Sequence, residues 1–297
     1  MERYIQEGGI ILLTMPINEN VIKYIQGFSN PFLDKFFQAI TMLGEQYIFV
    51  TIMVIIFWSV NKKLGYRLAF VCLTSMVINI ILKDSFMVLR PIGEEGIRSL
   101  RIETATGYSF PSGHTQIVAT LWITLMLYTK KNFVYINGTI IIILVGISRI
   151  YLGVHRPMDV IGAIIIAVVW VFICNAFINY VESGNKKSLL LFIIIPIFIG
   201  MLFTNFTDYF KMTGILIGIY IGYLIEPKHI AFENTGKYIM QIFKIVIGLG
   251  LLLVLESTLE LIFLKRIFSD FIRYLLMGLW VTIGAPLIFN KIEATVY

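Results

Sequence analysis

Apolar residues fill long stretches of this chain, and short polar connections separate them. The stretches at 46–60, 65–83, 115–129, 133–153, 157–181, 188–206, 212–225, 238–264 and 271–290 read as nine membrane-spanning helices, because crossing the hydrocarbon takes about 20 mostly apolar residues in helical form. Several are short for that task, which leaves seven to ten as the range around nine. Two shorter patterns precede the first span. Asn18 is placed to cap a helix with Val21, Ile22, Ile25 and Phe28 on one side, and Asn30 followed by Pro31 opens a second that ends near Gly44. In the second, Phe32, Phe36, Ile40 and Leu43 recur at helical spacing while Asp34, Lys35 and Gln38 face away. Such a helix either lies in the membrane interface or packs on the bundle. The expected fold class is an all-α, polytopic transmembrane bundle.

Composition agrees. Of 297 residues 58% are hydrophobic and only 14% charged, against about one quarter charged in soluble domains. No cleavable signal sequence is expected, since Glu2, Arg3 and Glu7 stand at the start and the apolar stretch at 10–15 is too short. Cys72 and Cys174 both fall inside apolar runs and read as small buried hydrophobes rather than as a disulfide or a metal site. The net charge of +6 is not gathered into a run or stripe, so it does not point to nucleic acid. It sorts by connection instead. Lys62, Lys63 and Arg67, then Lys130 and Lys131, Lys186 and Lys187, Lys228 and Lys237, and finally Lys291 occupy alternate connections, and short lysine-bearing loops stay in the cytoplasm. The expected topology therefore places the N-terminus outside and the C-terminus inside, although Lys265, Arg266 and Arg273 flank an outward connection.

Three polar segments fall on that outer side. In the first, Lys83 and Arg90 lie seven residues apart, nearly two helical turns, so that both cations share one face of a helix ended by Pro91. Lysine and arginine near a span end also commonly snorkel to head groups. In the second, 108–114, Pro111 suits a first helical position, leaving the N–H groups of Ser112 and Gly113 free at a helix N-terminus, a ready anion site beside His114. In the third, 148–159, Pro157 starts a span and Asp159 sits four residues after His155. A carboxylate that holds one ring N–H leaves the other imidazole nitrogen as a neutral nucleophile, and Arg149 adds a third cation. Three cations, an amide nest and two histidines form a sufficient inventory for phosphoryl transfer without Mg²⁺. Neither a metal-ligand cluster, a P-loop nor a dinucleotide fingerprint is present, and no cofactor is expected.

In this order the three segments, Lys83 to Arg90-Pro91, Pro111-Ser112-Gly113-His114, and Ser148-Arg149 to His155 and Asp159, resemble the signature of the type 2 phosphatidic acid phosphatase superfamily. The resemblance covers about 18–181. It implies a six-helix phosphatase-type core in 1–182, followed by additional transmembrane helices in 183–297. It also implies that His155 attacks phosphorus and is phosphorylated, that Asp159 orients it, and that His114 protonates the leaving oxygen and then activates water. Lys83, Arg90, Ser112, Gly113 and Arg149 would hold the phosphate. Arg156 is a further candidate for a head-group or phosphate contact. The implied activity is hydrolysis of lipid phosphates or diphosphates, such as an isoprenoid diphosphate, phosphatidic acid or phosphatidylglycerol phosphate. A plasma-membrane enzyme with its site on the non-cytoplasmic side is expected. Alternatives are a lipid phosphotransferase, a phosphatase of soluble sugar phosphates, and a transporter or silent lipid-binding protein on the same fold. Outside the motifs, Glu256 and Glu260 stand one turn apart in an apolar span and serve either a structural ion pair with Lys211, Lys265 or Arg273 or a substrate cavity. His229 reads as incidental.

Overall fold

A computed structural model of the protein describes residues 16–234, 238–263 and 266–296, and all regular structure among them is helical. The start of the chain at 1–15, Lys237 and Lys265 lie outside these residues. Two compact units divide the chain. The first combines residues up to Phe49 with Ile78–Ile173, and the second combines Val50–Val77 with residues from Cys174 onward.

The first unit opens with α1 (Pro16–Gln26) and α2 (Pro31–Thr41), the latter extended by a tight turn at Met42–Gly44. Asn18 does not cap α1: it lies inside the helix and is buried. Asn30 does cap α2, accepting from the N–H groups of Phe32 and Leu33 at 3.0 Å. The two faces of α2 separate as the periodicity predicts. Phe32 and Phe36 are exposed, while Asp34 accepts from both terminal nitrogens of Arg98 at 2.7 Å and from the Tyr151 hydroxyl at 2.6 Å. The remaining parts are the end of α4 (Lys62–Phe86), α5 (Gly113–Thr129), α6 (Asn132–Tyr151) and the start of α7 (Pro157–Ser183). Ile22, Ile150 and Val160 form a core where α1, α6 and α7 meet. After α6 the chain turns at Gly153, with φ +65, and a Cβ there would lie 2.3 Å from the Arg98 carbonyl oxygen, so only glycine fits.

The second unit holds the end of α3 (Gln46–Ile55), most of α4, the end of α7, α8 (Leu191–Gly200), α9 (Thr207–His229), α10 (Tyr238–Ile262), α11 (Ile267–Leu279) and α12 (Ala285–Val296). Gly214, Gly218 and Gly222 make one stripe of α9, spaced four apart, and Cβ atoms at the first two would lie 2.3 and 2.4 Å from the carbonyl oxygens of Phe271 and Leu275 in α11. The two backbones are thus in direct contact, as lipid-embedded helices with small residues at the seam can be. Trp58, Phe232 and Phe289 form an aromatic core, with the indole N–H donating to Val281 at 2.9 Å. Cys72 and Cys174 are buried free thiols. Glu260 approaches Arg273 at 3.8 Å, within the same unit.

Six helices among the described residues are long and apolar enough to cross a membrane, and a seventh is obtained if the bent pair Pro31–Gly44 and Gln46–Val60 counts as one span. Seven is the lower end of the expected range around nine, and the short segments make the difference. The helix α5 has 17 residues, about 26 Å at 1.5 Å per residue, at the short end of the lengths that cross a hydrocarbon layer. The apolar segment Lys187–Phe203 is equally short.

Candidate active site

All eight sequence-predicted site residues lie in the first unit. His155 sits in the connection from α6 to α7 and is almost wholly buried. Its Nδ1 lies 3.3 Å from Asp159 Oδ2, and its Nε2 lies 2.9 Å from Arg90 Nη1. A guanidinium only donates, so Nε2 presents its lone pair to Arg90 and the ring proton resides on Nδ1, facing the carboxylate. Burial in the first place, and then the charges of Arg90, Arg149 and Lys83, hold the His155 pKa well below the ordinary histidine value. The ring is neutral, with a free electron pair on the side of the cations.

Asp159 is fixed by more than His155. Its Oδ2 accepts from the Ser109 hydroxyl at 2.5 Å and from the Arg156 N–H at 2.8 Å. Ser109 is a participant that spacing did not reveal, since it lies 50 residues away in sequence and nothing local distinguishes it from other loop serines. Arg156, a candidate phosphate contact on sequence grounds, also ties this segment down: its side chain donates to the Leu89 carbonyl at 2.6 Å and pairs with Glu94, while its Nε has no partner among the described residues. Both partners lie in the connection between α4 and α5.

Two local expectations are corrected. Arg90 is not on a helix, because α4 ends at Phe86 and Met87 turns the backbone left-handed at φ 48. The reason lies in tertiary contacts: Arg90 donates to the carbonyls of Thr106, Gly107 and Val154 at 2.7–3.0 Å, which a helical position could not reach. Lys83 stays on α4 and donates to the Tyr108 carbonyl at 2.6 Å, so the two cations converge on the 106–108 loop from different elements. Burial brings the Arg90 pKa down to about 10, still cationic at neutral pH. The second correction concerns Pro111. The helix α5 begins at Gly113 with Ser112 at its N-cap, and the Ser112 N–H donates to the Asp159 carbonyl at 3.1 Å. That N–H is therefore engaged, and the nest at the helix start is Gly113 and the residues after it.

His114 follows in the first turn of α5, electrostatically coupled to Arg149, His155, Arg90 and Lys83. Its Nε2 is buried and has no hydrogen-bond partner among the described residues. Arg149, in the last turn of α6, is fully buried. One terminal nitrogen donates to Thr41 Oγ1 at 2.8 Å, whereas Nε and Nη2 are buried without partners. Unmade hydrogen bonds of a buried cation are costly. Two free guanidinium donors and a free imidazole nitrogen beside the His155 lone pair make a site shaped for an oxyanion.

Comparison with known proteins places the chain in a family. Residues 64–183 match the PAP2 superfamily, and residues 210–295 match the PAP2 superfamily phosphatase transmembrane extension. The undecaprenyl-diphosphatase of Sulfolobus acidocaldarius is 35% identical over 148 residues, covering 49% of this chain and 67% of that protein. The chain belongs to the PAP2 superfamily. Human sphingosine-1-phosphate phosphatase 2 is 22% identical over 282 residues, covering 84% of this PAP2 chain and 70% of the relative. The crystal structure of Aquifex aeolicus LpxE superposes with a TM-score of 0.51 at 25% identity, over 56% of this chain and 99% of that one. These curated relatives are lipid phosphatases, and the protein is an integral membrane phosphatase of their superfamily.

Proposed function

We propose that this PAP2 protein hydrolyses phosphate monoesters or diphosphates of lipids through a phosphohistidine on His155. The observation that carries the reading is the neutral His155 Nε2, which presents its lone pair to Arg90, in a site where buried Arg149 keeps two N–H groups without a partner. In the first step Nε2 attacks phosphorus, an N–P bond forms, and the P–O bond to the lipid breaks. The leaving oxygen takes a proton from His114. In the second step His114 removes a proton from water, the hydroxide oxygen bonds to phosphorus, and the N–P bond breaks to release inorganic phosphate. Incoming phosphate oxygens take over the Arg90 N–H that now faces Nε2, and they fill the donors of Arg149, with Lys83 and the Gly113 amide completing the cradle. The dianion supplies the countercharge that lets His114 carry its proton. Asp159, held by Ser109 and the Arg156 N–H, keeps the His155 proton on Nδ1.

Residues 1–182 form the catalytic core in this reading and 183–297 the appended helices, with the site on the non-cytoplasmic side of the plasma membrane, as the lysine-bearing connections suggest. The names of the relatives favour a lipid substrate. The test is a phosphate-release panel on the purified protein, comparing lipid diphosphates, lipid monophosphates and sugar phosphates, combined with acid-labile trapping of labelled phosphate. Label on His155 and preference for a lipid are expected. Label on His114, or turnover of sugar phosphates alone, refutes it.

A further inference from the structure

Thr41 lies outside the three motif segments and outside the region matched by the superfamily at 64–183. It ends α2, is fully buried, and accepts from Arg149 Nη1 at 2.8 Å. A guanidinium is a rigid planar fork. Holding one terminal nitrogen therefore sets the aim of the others, and the others here are the unpartnered Nε and Nη2. Threonine suits the task, because its β-branch leaves few χ1 rotamers.

The turn that follows serves the same site. A Cβ on Gly44 would lie 2.9 Å from His114 Cβ and 3.0 Å from its carbonyl oxygen, so the helix bearing His114 comes as close as glycine permits. Glu45, next in sequence, accepts from Arg101 Nη2 at 2.5 Å, and Arg101 also donates to the Gln38 carbonyl at 3.2 Å. Asp34, on the same face of α2, holds Arg98 and Tyr151. The inward face of α2 is thus anchored at several points around Arg149.

We infer that Thr41 is a positioning residue of the phosphate site: its hydroxyl fixes the Arg149 guanidinium in the orientation that offers Nε and Nη2 to the phosphoryl oxygens. The inference rests on the phosphate-binding role proposed above for Arg149. Its test uses the purified full chain and three readouts: vanadate inhibition, steady-state kinetics and thermal unfolding. Thr41→Val keeps the shape and removes the acceptor; Thr41→Ser keeps the acceptor. A hydrogen bond to a charged group is lost in the first, so vanadate inhibition is expected to weaken by about tenfold. kcat/KM should drop similarly with little change in melting temperature, and Thr41→Ser should stay within about threefold of wild type. In an Arg149→Lys background, Thr41→Val should add little, because its effect acts through Arg149. Unchanged vanadate inhibition in Thr41→Val, or a full additional loss in the Arg149→Lys background, overturns the inference. If Thr41→Val does not fold, Thr41→Ala and Thr41→Ser are compared in the same two backgrounds, and equal vanadate affinity in the pair is the refuting result. Wild-type protein that ignores vanadate and takes no label on His155 would instead refute the proposed function itself.

Discussion

The first unit and the second are held together by different physics. In the candidate site, Arg149, His155, Arg156 and Asp159 are all buried, together with Ser109 and Ser112. In the helices α9 to α11 the seam is made of glycines that bring backbone against backbone. Buried charges are an expensive way to join helices, since each must be desolvated and fully paired, whereas small residues let lipid-embedded helices associate by contact alone. The second unit has buried cations of its own, Arg67 and Lys244, but they are paired with Glu182 at 2.8 Å and Glu293 at 2.6 Å. In the first unit Arg149 keeps two donors without a partner. The phosphate-binding reading of the first unit rests on those two open donors of Arg149.

The largest effect expected from this contrast comes from the two histidines. His155→Ala removes the attacking nitrogen, and no neighbouring group can replace it, so phosphate release should drop to background for every substrate. His114→Ala should slow alkyl phosphates by about 100-fold, the scale of general-acid loss. It should retain more of its rate on an aryl phosphate, whose leaving oxygen needs less protonation. Melting temperatures should change little in either. Equal losses of His114→Ala on alkyl and aryl substrates would remove the division of labour between the rings.

The glycine seam should respond in the opposite manner. In Gly218→Val the new Cβ would start 2.4 Å from the Leu275 carbonyl oxygen, a backbone atom with little freedom to yield. Overpacking of this kind costs about 1–3 kcal/mol or more, so the melting temperature should fall while kcat per folded molecule is kept. A Gly218→Val protein that melts like wild type but has lost kcat would show that the C-terminal helices take part in catalysis.

The two regions also differ in how far the sequence reveals them. The pair His155 and Asp159 is local, four residues apart at a proline-started helix, and its contact follows from spacing. Lys83 and Arg90 read as one helical face, yet Arg90 leaves the helix because carbonyls at 106, 107 and 154 compete for it. Thr41 and Ser109 act over sequence separations of 108 and 50 residues, and no local pattern encodes contacts of that range. The seam was legible in principle, since Gly214, Gly218 and Gly222 repeat the small-residue spacing of packed membrane helices. Helix positions were legible from hydropathy, but the number of true spans was not. Segments of 17 residues such as α5 stand at the short end of the spanning range, so hydropathy alone does not fix their number.

The smallest expected effect is a shift on the pH axis. The His155 pKa is held well below its ordinary value by burial and then by Arg90, Arg149 and Lys83, with Asp159 at 3.3 Å as the opposing charge. The nucleophile must be neutral, so kcat/KM should hold as the pH falls through about 6.5, the ordinary histidine value, and decline only further into acid. Stability carries the same signature. An unfolded chain binds this proton near pH 6.5 and the folded one does not, so stability decreases as pH falls below that value and levels off once the folded ring is also protonated. Arg90→Gln removes one cation and should move the acid limb upward, whatever it does to the absolute rate. Titration of the substrate phosphate is common to both proteins, so the displacement between their profiles belongs to the enzyme. Gly218→Val provides the control from the other unit, and its limb should coincide with wild type. A limb that stays in place in Arg90→Gln would mean that the Arg90 charge does not reach the His155 ring in the working enzyme.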